Sequence, residues 1–312
     1  FEMAKVRDDE KCAQDELDCV ADATSPDHVI KERFTERFAD FVERFEELDV
    51  IRKANATSYK STKKVPKVAI LREQGVNGHR EMAAAFHQVG FNCVDVHMQD
   101  LISKTFDLSR FDGLAISGGF SYGDVLGAGR GWAQVVLANN FLRKAFLSFF
   151  CNPEKFVFGV CNGCQLFIEL GLLHPTHDQK PKMRHNLSGK FECVFSTIDI
   201  QPNNAVLFQG LSGSRLGIWS AHGEGRFELP QNQTDYQIVG NYSYDQYPSN
   251  PNGSDYGTAI LSSDDGRHVV MMPHLERSIF PWNWAHYPEE RKDEVSPWLE
   301  AFVNARLWIE NL

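Results

Sequence analysis

The sequence lacks long hydrophobic runs, an excess of basic residues and any regular arrangement of cysteines. No apolar stretch approaches about 18 residues, so neither a transmembrane helix nor a membrane partner is predicted. Asp and Glu number 42 against 32 Lys and Arg, which gives a formal net charge of −10. Because binding to phosphates needs clustered Lys and Arg, nucleic acid is not an expected partner.

The cysteines are too unevenly placed for a disulfide scaffold. There are seven, an odd number, at positions 12, 19, 93, 151, 161, 164 and 193. This usage favours a reducing compartment, and a cytoplasmic location is expected. No signal peptide opens the chain. It starts at Phe1 and not at Met, so we expect a piece of a longer protein.

The first 66 residues differ in pattern from the remainder. Residues 1–28 are polar and are predicted to be a tail, and 54–66 is predicted to be a linker. Between them, an amphipathic helix is predicted over about 29–51. Its apolar side chains step by four, three, four and three residues along one face: Phe34, Phe38, Phe41, Phe45 and Leu48. A face this apolar is expected to pack on a partner surface, inside this chain or outside it.

From residue 67 onward, short apolar runs alternate with helical patterns. Asn77 is the expected cap of the first helix, and Gly90 is its expected end. Such alternation predicts a parallel sheet with helices on both faces. The strand-like runs lie at 67–71, 92–98, 113–119 and 155–160, and the helical patterns lie at 79–89, 131–150 and 162–171.

The pattern changes after about residue 190, where short strand-like segments follow one another without a long helix. They lie at 190–200, 216–225, 236–243, 257–263 and 268–274, and an amphipathic helix is predicted over 297–312. The predicted fold class is therefore α/β: a mostly parallel central sheet flanked by helices, with a smaller antiparallel or mixed extension. One domain is expected over 67–312.

The stretch FGVCNGCQL at 158–166 places Cys161 and Cys164 three residues apart. A zinc site would need further ligands, usually a second such pair, and no other pair lies close in the sequence. A thioredoxin-like redox pair would normally follow an aromatic or small residue on a loop, not a strand ending in FGV. The remaining interpretation treats Cys161 as a nucleophile and Cys164 as a packed bystander.

The nucleophile interpretation follows from glycine spacing. Gly159 and Gly163 stand two residues before and two after Cys161, where the backbones of a strand and a helix crowd together at a sharp turn. The thiol would then stand above the sheet edge, and the helix N-terminus would favour its thiolate form.

A nucleophilic cysteine needs a base, and the base needs a group that orients it. His274 and Glu276 lie two residues apart after the apolar segment HVVMM. In an extended chain their side chains point the same way, so Glu276 would hold the His274 ring with its other nitrogen facing Cys161. The alternative is a structural histidine at the end of a strand.

The glycine-rich segment SGGFSYGDVLGAGRG at 117–131 follows the third predicted strand. It could be a flexible surface loop. It could instead present the backbone N–H of Gly119 or Phe120 beside that of Asn162, as the oxyanion hole of an acyl-transfer site. It contains neither a dinucleotide fingerprint nor a P-loop, so it is a poor phosphate site.

Six segments in order resemble the class I, triad-type glutamine amidotransferases: VAILREQGVNGHREMAAAFHQVGF, GGFSYGDVLGAGRGWA, GVCNGCQ, HGEGRF, YPSNPNGS and MMPHLER. They are most similar to the glutaminase domains of formylglycinamide ribonucleotide amidotransferases, also called phosphoribosylformylglycinamidine synthases. The resemblance runs from about residue 66 to residue 312 and implies a triad glutaminase domain with the class I fold.

The resemblance implies a role for each matching residue. Cys161 would form a glutamyl thioester, His274 would act as general base and then acid, and Glu276 would orient His274. The family often has proline where this chain has Leu275, and little catalytic effect is expected from that difference. The backbone oxyanion donors would be Gly119, Phe120 and Asn162, and the substrate contacts would be Gln165, His222 and Gly223; no metal ligand is implied.

The resemblance also implies a substrate, a partner and cofactors. Glutamine would be hydrolysed to glutamate and ammonia, and the ammonia would pass to a synthetase domain outside this chain. That domain would use ATP and Mg²⁺ to make formylglycinamidine ribonucleotide in purine biosynthesis, so no cofactor is expected here. Two alternatives stay open: a stand-alone glutaminase subunit of a multi-chain synthase, and a Cys-dependent α/β thiol hydrolase. Hydrolases of that kind usually place the histidine beside the cysteine in sequence.

Overall fold

A computed structural model describes residues 65–289 and 291–312. Within these residues the chain forms a nine-stranded sheet, a two-stranded ribbon and six α-helices. The predicted tail, the predicted helix at about 29–51 and all but the last two residues of the predicted linker lie outside the described residues. The division between residues 66 and 67 stays a prediction.

The predicted strands and helices occur in the predicted order, but the structure adds one short helix and two short strands (98–102, 182–184 and 226–228) and divides one predicted helix into two. The strands are β1 Lys67–Arg72, β2 Asn92–His97, β3 Gly113–Ile116, β4 Phe156–Val160, β5 Lys182–Arg184, β6 Glu192–Ile200, β7 Arg215–His222, β8 Arg226–Glu228, β9 Gln237–Tyr242, β10 Thr258–Ser262 and β11 His268–Met271. The helices are α1 His79–Gln88, α2 Met98–Ile102, α3 Arg130–Ala138, α4 Asn140–Cys151, α5 Asn162–Leu170 and α6 Leu299–Glu310.

The large sheet has a parallel half and an antiparallel half. Its strand order is β2-β1-β3-β4-β11-β10-β9-β6-β7. The first five strands pair in parallel, and every pair from β11 to β7 is antiparallel. The ribbon pairs β5 with β8. The α/β class with its extension is therefore confirmed, and the extension continues the same sheet.

Strand β4 shows why helices cover both faces of the parallel half. All five of its residues are buried, which fits its continuous apolar sequence FVFGV. Phe158 packs against Phe302 of α6, with ring centroids 6.1 Å apart. Gly159 faces the other side, where an added Cβ would lie 3.0 Å from the carbonyl oxygen of Gly163 in α5.

The single helix predicted over 131–150 is wrong, because the segment forms α3 and α4 with a break at Asn139. Asn139 has extended backbone angles (φ −99°, ψ 107°), and its Oδ1 accepts the N–H groups of Phe141 and Leu142 at 3.0 and 3.2 Å. Asparagine competes with helical hydrogen bonding in this way. Because the apolar residues keep their helical spacing across Asn139, the sequence pattern gives no sign of the break.

The ends of α1 differ partly from prediction. The side chain of Asn77 does not cap it; Asn77 Oδ1 instead accepts a hydrogen bond from Arg277 at 2.9 Å, and the residue before the helix is Gly78. Gly90 follows the helix with φ +89°, so its predicted role as a stop is confirmed.

Helix α6 is not amphipathic over its first two turns. Every residue from Leu299 to Arg306 is buried. Two of its polar side chains donate to backbone carbonyl oxygens: Asn304 to Leu207 at 3.1 Å, and Arg306 to Gly90 at 2.6 Å. Polar residues that are satisfied in this way look exposed in a sequence pattern.

The carboxyl ends of β1, β3, β4 and β11 meet at one edge of the parallel half. In open α/β sheets this edge is where ligands bind. The segments that leave these ends contain Glu73, Gly119, Cys161 and His274. None of the helices within 65–289 and 291–312 is long and apolar enough to cross a membrane.

Candidate active site

Cys161 occupies the sharp turn between β4 and α5. Its backbone angles are φ +52° and ψ −108°, a conformation that residues other than glycine rarely adopt and that costs of the order of 1–3 kcal/mol. Its N–H donates to the carbonyl oxygen of Met271 at 2.8 Å, which ties the turn to the neighbouring strand β11. A strained backbone that its surroundings hold in place is typical of a functional residue.

The two glycines that flank Cys161 are required by close backbone approach. A Cβ on Gly163 would lie 2.1 Å from the carbonyl oxygen of Ile116, and a Cβ on Gly159 would lie 3.0 Å from that of Gly163. Strand β3, strand β4 and helix α5 therefore touch backbone to backbone beneath Cys161. The predicted reason for this glycine spacing is confirmed.

The two thiols have different surroundings. Cys161 lines a cleft, whereas Cys164 is fully buried inside α5. Burial, and to a smaller degree the charge of Cys161, raise the pKa of Cys164 well above its usual value. A thiol kept neutral in a packed core behaves as a small hydrophobe.

His274 and Glu276 form a buried pair beside Cys161. The His274 Nδ1 atom lies 2.7 Å from Glu276 Oε1, and the His274 ring and the Cys161 side chain both lie beside Gly118. The extended geometry that predicted this contact is wrong, because Glu276 lies in a 3-10 turn, Leu275–Arg277, that folds it back toward the ring. Leu275 points into the hydrophobic core.

The pKa of His274 is set by opposing effects. Burial favours the neutral ring, but the charge of Glu276, the charge of Cys161 and the hydrogen bond to Glu276 raise the pKa of His274 to about 10. The ring therefore keeps its proton at neutral pH.

The cleft over Cys161 has a volume of about 220 Å³. It is lined by parts of three segments, 119–128, 185–191 and 221–224, together with Cys161 and Gln165. The first segment follows β3 in the parallel half of the sheet. The third ends β7 and continues beyond it, so the two halves of the sheet meet over the thiol.

The predicted oxyanion donors differ in whether their N–H groups are free. The N–H of Phe120 already donates to the carbonyl oxygen of Gly75 at 2.9 Å, so the prediction of Phe120 as a donor is corrected. The N–H of Gly119 has no acceptor in the part of the chain that the structure describes. Asn162 is the first residue of α5, a position whose N–H has no partner within the helix.

The side chains of Asn162 and Gln165 tie the walls of the cleft together. Asn162 Oδ1 accepts the N–H of Ser121 at 3.0 Å, and its Nδ2 donates to Gln165 Oε1 at 3.0 Å. Gln165 Nε2 in turn donates to the carbonyl oxygen of Glu224 at 2.8 Å. Gln165 also lines the cleft, so its predicted contact with substrate stays a prediction.

His222 and Gly223 both line the cleft, on the wall that follows β7. Burial lowers the pKa of His222 to about 4, and the charge of His274 acts in the same direction. His222 is therefore neutral at physiological pH. Asn186 holds this wall, since its Nδ2 donates to the His222 carbonyl at 2.7 Å and its Oδ1 accepts the N–H of Gly225 at 3.0 Å.

Sequence reasoning missed the charged residues of the cleft: Asp124, Glu224 and Lys190. Burial, and then the charge of Glu224, raise the pKa of Asp124 to about 6. Glu224 Oε1 accepts the N–H of Ala128 at 3.2 Å. The available signal was an acidic residue within each of two glycine-rich motifs, FSYGD and HGEG. Within the described ranges, no three His, Cys, Asp or Glu side chains cluster as a metal site.

Comparison with known proteins finds one family and several similar structures. The family model of the CobB/CobQ-like glutamine amidotransferase domain matches residues 65–309. The structure of PurLQS from Thermotoga maritima is 25% identical, with a TM-score of 0.59, over 80% of this chain and 99% of that one. A glutamine amidotransferase from Methylobacillus flagellatus is 16% identical, with a TM-score of 0.44, over 80% of this chain and 96% of that one. Another glutamine amidotransferase, from Thermotoga maritima, is 16% identical, with a TM-score of 0.42, over 69% of this chain and 77% of that one.

Proposed function

Because the chain belongs to the family of CobB/CobQ-like glutamine amidotransferase domains, we propose that it hydrolyses glutamine to glutamate and ammonia. The observation that carries this proposal is the arrangement of Cys161, His274 and Glu276. A thiol held at a strained turn lies beside an imidazole whose pKa its charge raises, and a buried carboxylate holds that imidazole at 2.7 Å. A nucleophile, a base and an orienting group in this order are what thiol acyl transfer requires.

In the first half-reaction, the Cys161 thiolate attacks the side-chain amide carbon of glutamine, and the carbonyl oxygen becomes an oxyanion. The N–H groups of Gly119 and Asn162 would stabilise that charge. His274 then gives its proton to the departing nitrogen. The C–N bond breaks, ammonia leaves, and a glutamyl thioester remains on Cys161.

In the second half-reaction, His274 is neutral and takes a proton from water while the water oxygen attacks the thioester carbon. The C–S bond breaks, glutamate forms, and Cys161 returns to the thiolate beside a protonated His274. One water is consumed and one ammonia is released for each glutamine. Glu276 would keep the ring in position and offset its positive charge throughout.

The charged residues of the cleft would select the amino-acid end of the substrate. Asp124 and Glu224 would bind the α-ammonium group, and Lys190 would bind the α-carboxylate. Among the described residues that line the cleft, Lys190 is the one with a cationic side chain of the Lys or Arg type. Gln165, His222 and Gly223 would shape the wall along which the substrate lies.

The ammonia would pass to a synthetase that makes formylglycinamidine ribonucleotide. Support comes from the similarity to PurLQS from Thermotoga maritima, which extends over 99% of that chain, and from the six sequence segments described above. A domain of a longer enzyme and a separate glutaminase subunit fit that similarity equally well. ATP and Mg²⁺ would act in the synthetase, since no step above uses a cofactor.

Labelling with 6-diazo-5-oxo-norleucine, an electrophilic glutamine analogue, tests the glutaminase proposal. Intact mass and peptide mapping should find one adduct, on Cys161, and excess glutamine should block it. An adduct on Cys164, or equal labelling of both thiols, would contradict the proposal. The partner is tested by adding a formylglycinamide ribonucleotide synthetase, its substrate and ATP. Glutamine should then support product formation with the wild-type chain, while Cys161→Ala should support it only with added ammonium salt.

A further inference from the structure

Two segments that leave neighbouring strands are joined backbone to backbone beside the cleft. Segment 73–78 follows β1, and segment 118–122 follows β3 and contains Gly119. Four hydrogen bonds of 2.9 to 3.1 Å connect them: Phe120 N–H to Gly75, Tyr122 N–H to Gln74, and the N–H groups of Asn77 and Gly78 to Gly118. The position of Gly119 therefore depends on the 73–78 segment.

Tyr122 ends this paired region in an unfavourable backbone conformation. Its angles are φ +54° and ψ +29°, in the left-handed region where a bulky side chain is an outlier. Its Oη donates to Glu73 Oε2 at 2.6 Å, and its ring lies against Gly131, where an added Cβ would be 3.2 Å from Tyr122 Cδ2. Such a conformation persists only when surrounding contacts hold it.

Glu73 is a buried carboxylate that receives three donors. It is 6% exposed, and besides Tyr122 its oxygens face the N–H of Gln74 at 2.7 Å and His97 Nε2 at 3.3 Å. His97 Nδ1 accepts the N–H of Gln99 at 3.1 Å, so the hydrogen of the neutral ring is on Nε2 and points at Glu73. An acceptor-only group is required where three donors converge, and a carboxylate supplies it.

We propose that Glu73 is a positioning residue for the glutaminase reaction: through its hydrogen bond to Tyr122, it holds segment 118–122 so that the N–H of Gly119 faces the developing oxyanion. This inference rests on the proposed function. Glu73 is not among the residues that line the cleft, so it acts through Tyr122 and not by touching the substrate.

A second contact holds the same segment from the opposite side. Asn162, next to the nucleophile, accepts the N–H of Ser121 at 3.0 Å through a buried side chain. Segment 118–122 is thus fixed between α5, through Asn162, and the end of β1, through Glu73. Removing the Glu73 contact leaves the backbone bonds to Gln74 and Gly75 but takes away the side-chain bond that holds Tyr122 in its strained conformation, while the thiol stays in place.

Tyr122→Phe is the sharpest test, because it removes one hydroxyl group and keeps the ring. Tyr256→Phe is a matched control: Tyr256 also has positive φ (+57°), is similarly exposed (41% against 37%), and donates its hydroxyl to the Gln231 carbonyl at 3.0 Å. The readout is release of p-nitroaniline from glutamic acid γ-(p-nitroanilide) by the full chain, with alkylation of Cys161 by iodoacetamide measured in parallel.

Tyr122→Phe should lower kcat about tenfold or more and leave KM within about twofold, because a misplaced oxyanion donor affects the transition state and not substrate binding. Alkylation of Cys161 needs no oxyanion hole and should be unchanged. Glu73→Ala should lower kcat at least as much. Glu73→Gln should recover part of the loss, because its amide group can donate to the Tyr122 oxygen while its carbonyl oxygen accepts another donor.

The outcomes separate this inference from the proposed function. A wild-type chain that releases no p-nitroaniline, or no more than Cys161→Ala, overturns the proposed function and this inference with it. An active wild type with equal kcat for Tyr122→Phe and Tyr256→Phe overturns the inference alone. A fall in kcat matched by an equal fall in iodoacetamide alkylation also overturns it, because the change would then have reached the thiol itself.

Discussion

The two halves of the sheet contribute to the cleft in different ways. In the parallel half, Gly119, Cys161 and His274 follow β3, β4 and β11, which are neighbours in the sheet. In the antiparallel half, the wall at 221–224 belongs to β7 and its continuation, four strands away from β11 in the strand order. The wall still reaches the site, since the N–H of His274 donates to the carbonyl oxygen of Trp219 in β7 at 2.8 Å.

The antiparallel half reaches the site because it bends back over the sheet edge. The pairing of β9 with β10 shifts register twice, around Ile260. Such irregularities increase local twist and bend a strand. In the parallel half, the site residues are therefore brought together because their strands are neighbours in the sheet. In the antiparallel half, they reach the site because the sheet curves. Reacting groups come from the first, and the residues that enclose the substrate come largely from the second.

One histidine from each half shows the chemical side of this difference. His274 and His222 are both buried, but the pKa of His274 is raised to about 10 and that of His222 is lowered to about 4. Burial lowers the pKa of both rings. Glu276 reverses the effect at His274, and His222 has no carboxylate hydrogen-bonded to its ring among the described residues. The comparison shows that the charges of Glu276 and Cys161 outweigh burial at His274 and make that ring an acid.

The largest expected effect separates the two thiols of the parallel half. Cys161→Ala should reduce glutamine hydrolysis by about 10⁴-fold or more, because no nucleophile remains. Cys164→Ala should retain activity and lose about 1 kcal/mol of unfolding free energy through a small core cavity. Glutamate release and urea unfolding measure the two. Equal activity of both variants would show that the nucleophile has been assigned to the wrong residue.

Glu276→Gln should have the next largest effect. It should lower the rate of acylation of Cys161 by about 10²-fold or more, because the His274 ring loses the neighbouring charge that favours its protonated form. Because the pKa of His274 is raised in the folded state, its protonated ring stabilises the fold. This contribution to the free energy of unfolding is complete below 6.5, the pKa of the ring in the unfolded chain, and is lost as pH rises through about 10.

The difference in unfolding free energy between the wild type and Glu276→Gln should therefore be largest at pH 6 and shrink toward pH 10. Urea unfolding at several pH values measures it. A difference that is constant with pH would contradict the coupling between Glu276 and His274.

Asp124→Asn should have a moderate effect confined to substrate binding. With the α-ammonium contact weakened, KM for glutamine should rise about tenfold while kcat stays within about twofold. Because the pKa of Asp124 is raised to about 6, the wild-type carboxylate becomes neutral as pH falls below that value. The KM of the wild type should rise between pH 7.5 and pH 5.5, and the KM of the variant should not. A parallel rise in both would place the α-ammonium site elsewhere.

His222→Gln should have the smallest effect, visible in acid stability. The folded protein keeps His222 neutral down to about pH 4, whereas the unfolded chain protonates it near 6.5. The unfolded state therefore binds more protons between these values, and wild-type stability falls as pH decreases through this window.

The variant should lose less stability over the same window, by up to about 1.4 kcal/mol per pH unit. Urea unfolding at pH 7, 6 and 5 measures the two slopes. Identical slopes would mean that His222 is charged in the folded state.

Much of the parallel half could be predicted from the sequence, because its determinants are local. Apolar runs fixed the strands, and the spacing of Gly159 and Gly163 around Cys161 indicated close backbone contact. The break at Asn139 was missed because a side-chain cap interrupts a helix without changing its apolar period. The contact between His274 and Glu276 was predicted, but from the wrong local geometry.

The antiparallel wall and the loop hydrogen bonds could not be predicted in the same way. The approach of β7 to His274 depends on the accumulated bend of several strands, which no short motif encodes. The bond between Phe120 and Gly75 joins residues that are 45 positions apart and uses only backbone atoms, so side-chain identity gives no signal of it. Asp124 and Glu224 line one cleft only because two distant segments face each other, so their shared role could not be predicted from either motif.

The contacts that hold segment 118–122 between Asn162 and Glu73 have a kinetic consequence. The close backbone contacts of β3, β4 and α5 at Gly159 and Gly163 hold the turn that carries Cys161, so the rate of turnover would follow the fraction of time that segment 118–122 spends in its aligned position. Where the aligned position is the minor state, a shift of about 1.4 kcal/mol in that equilibrium would change turnover tenfold with every reacting atom in place. A molecule that binds over this segment would thus change the turnover rate without entering the cleft.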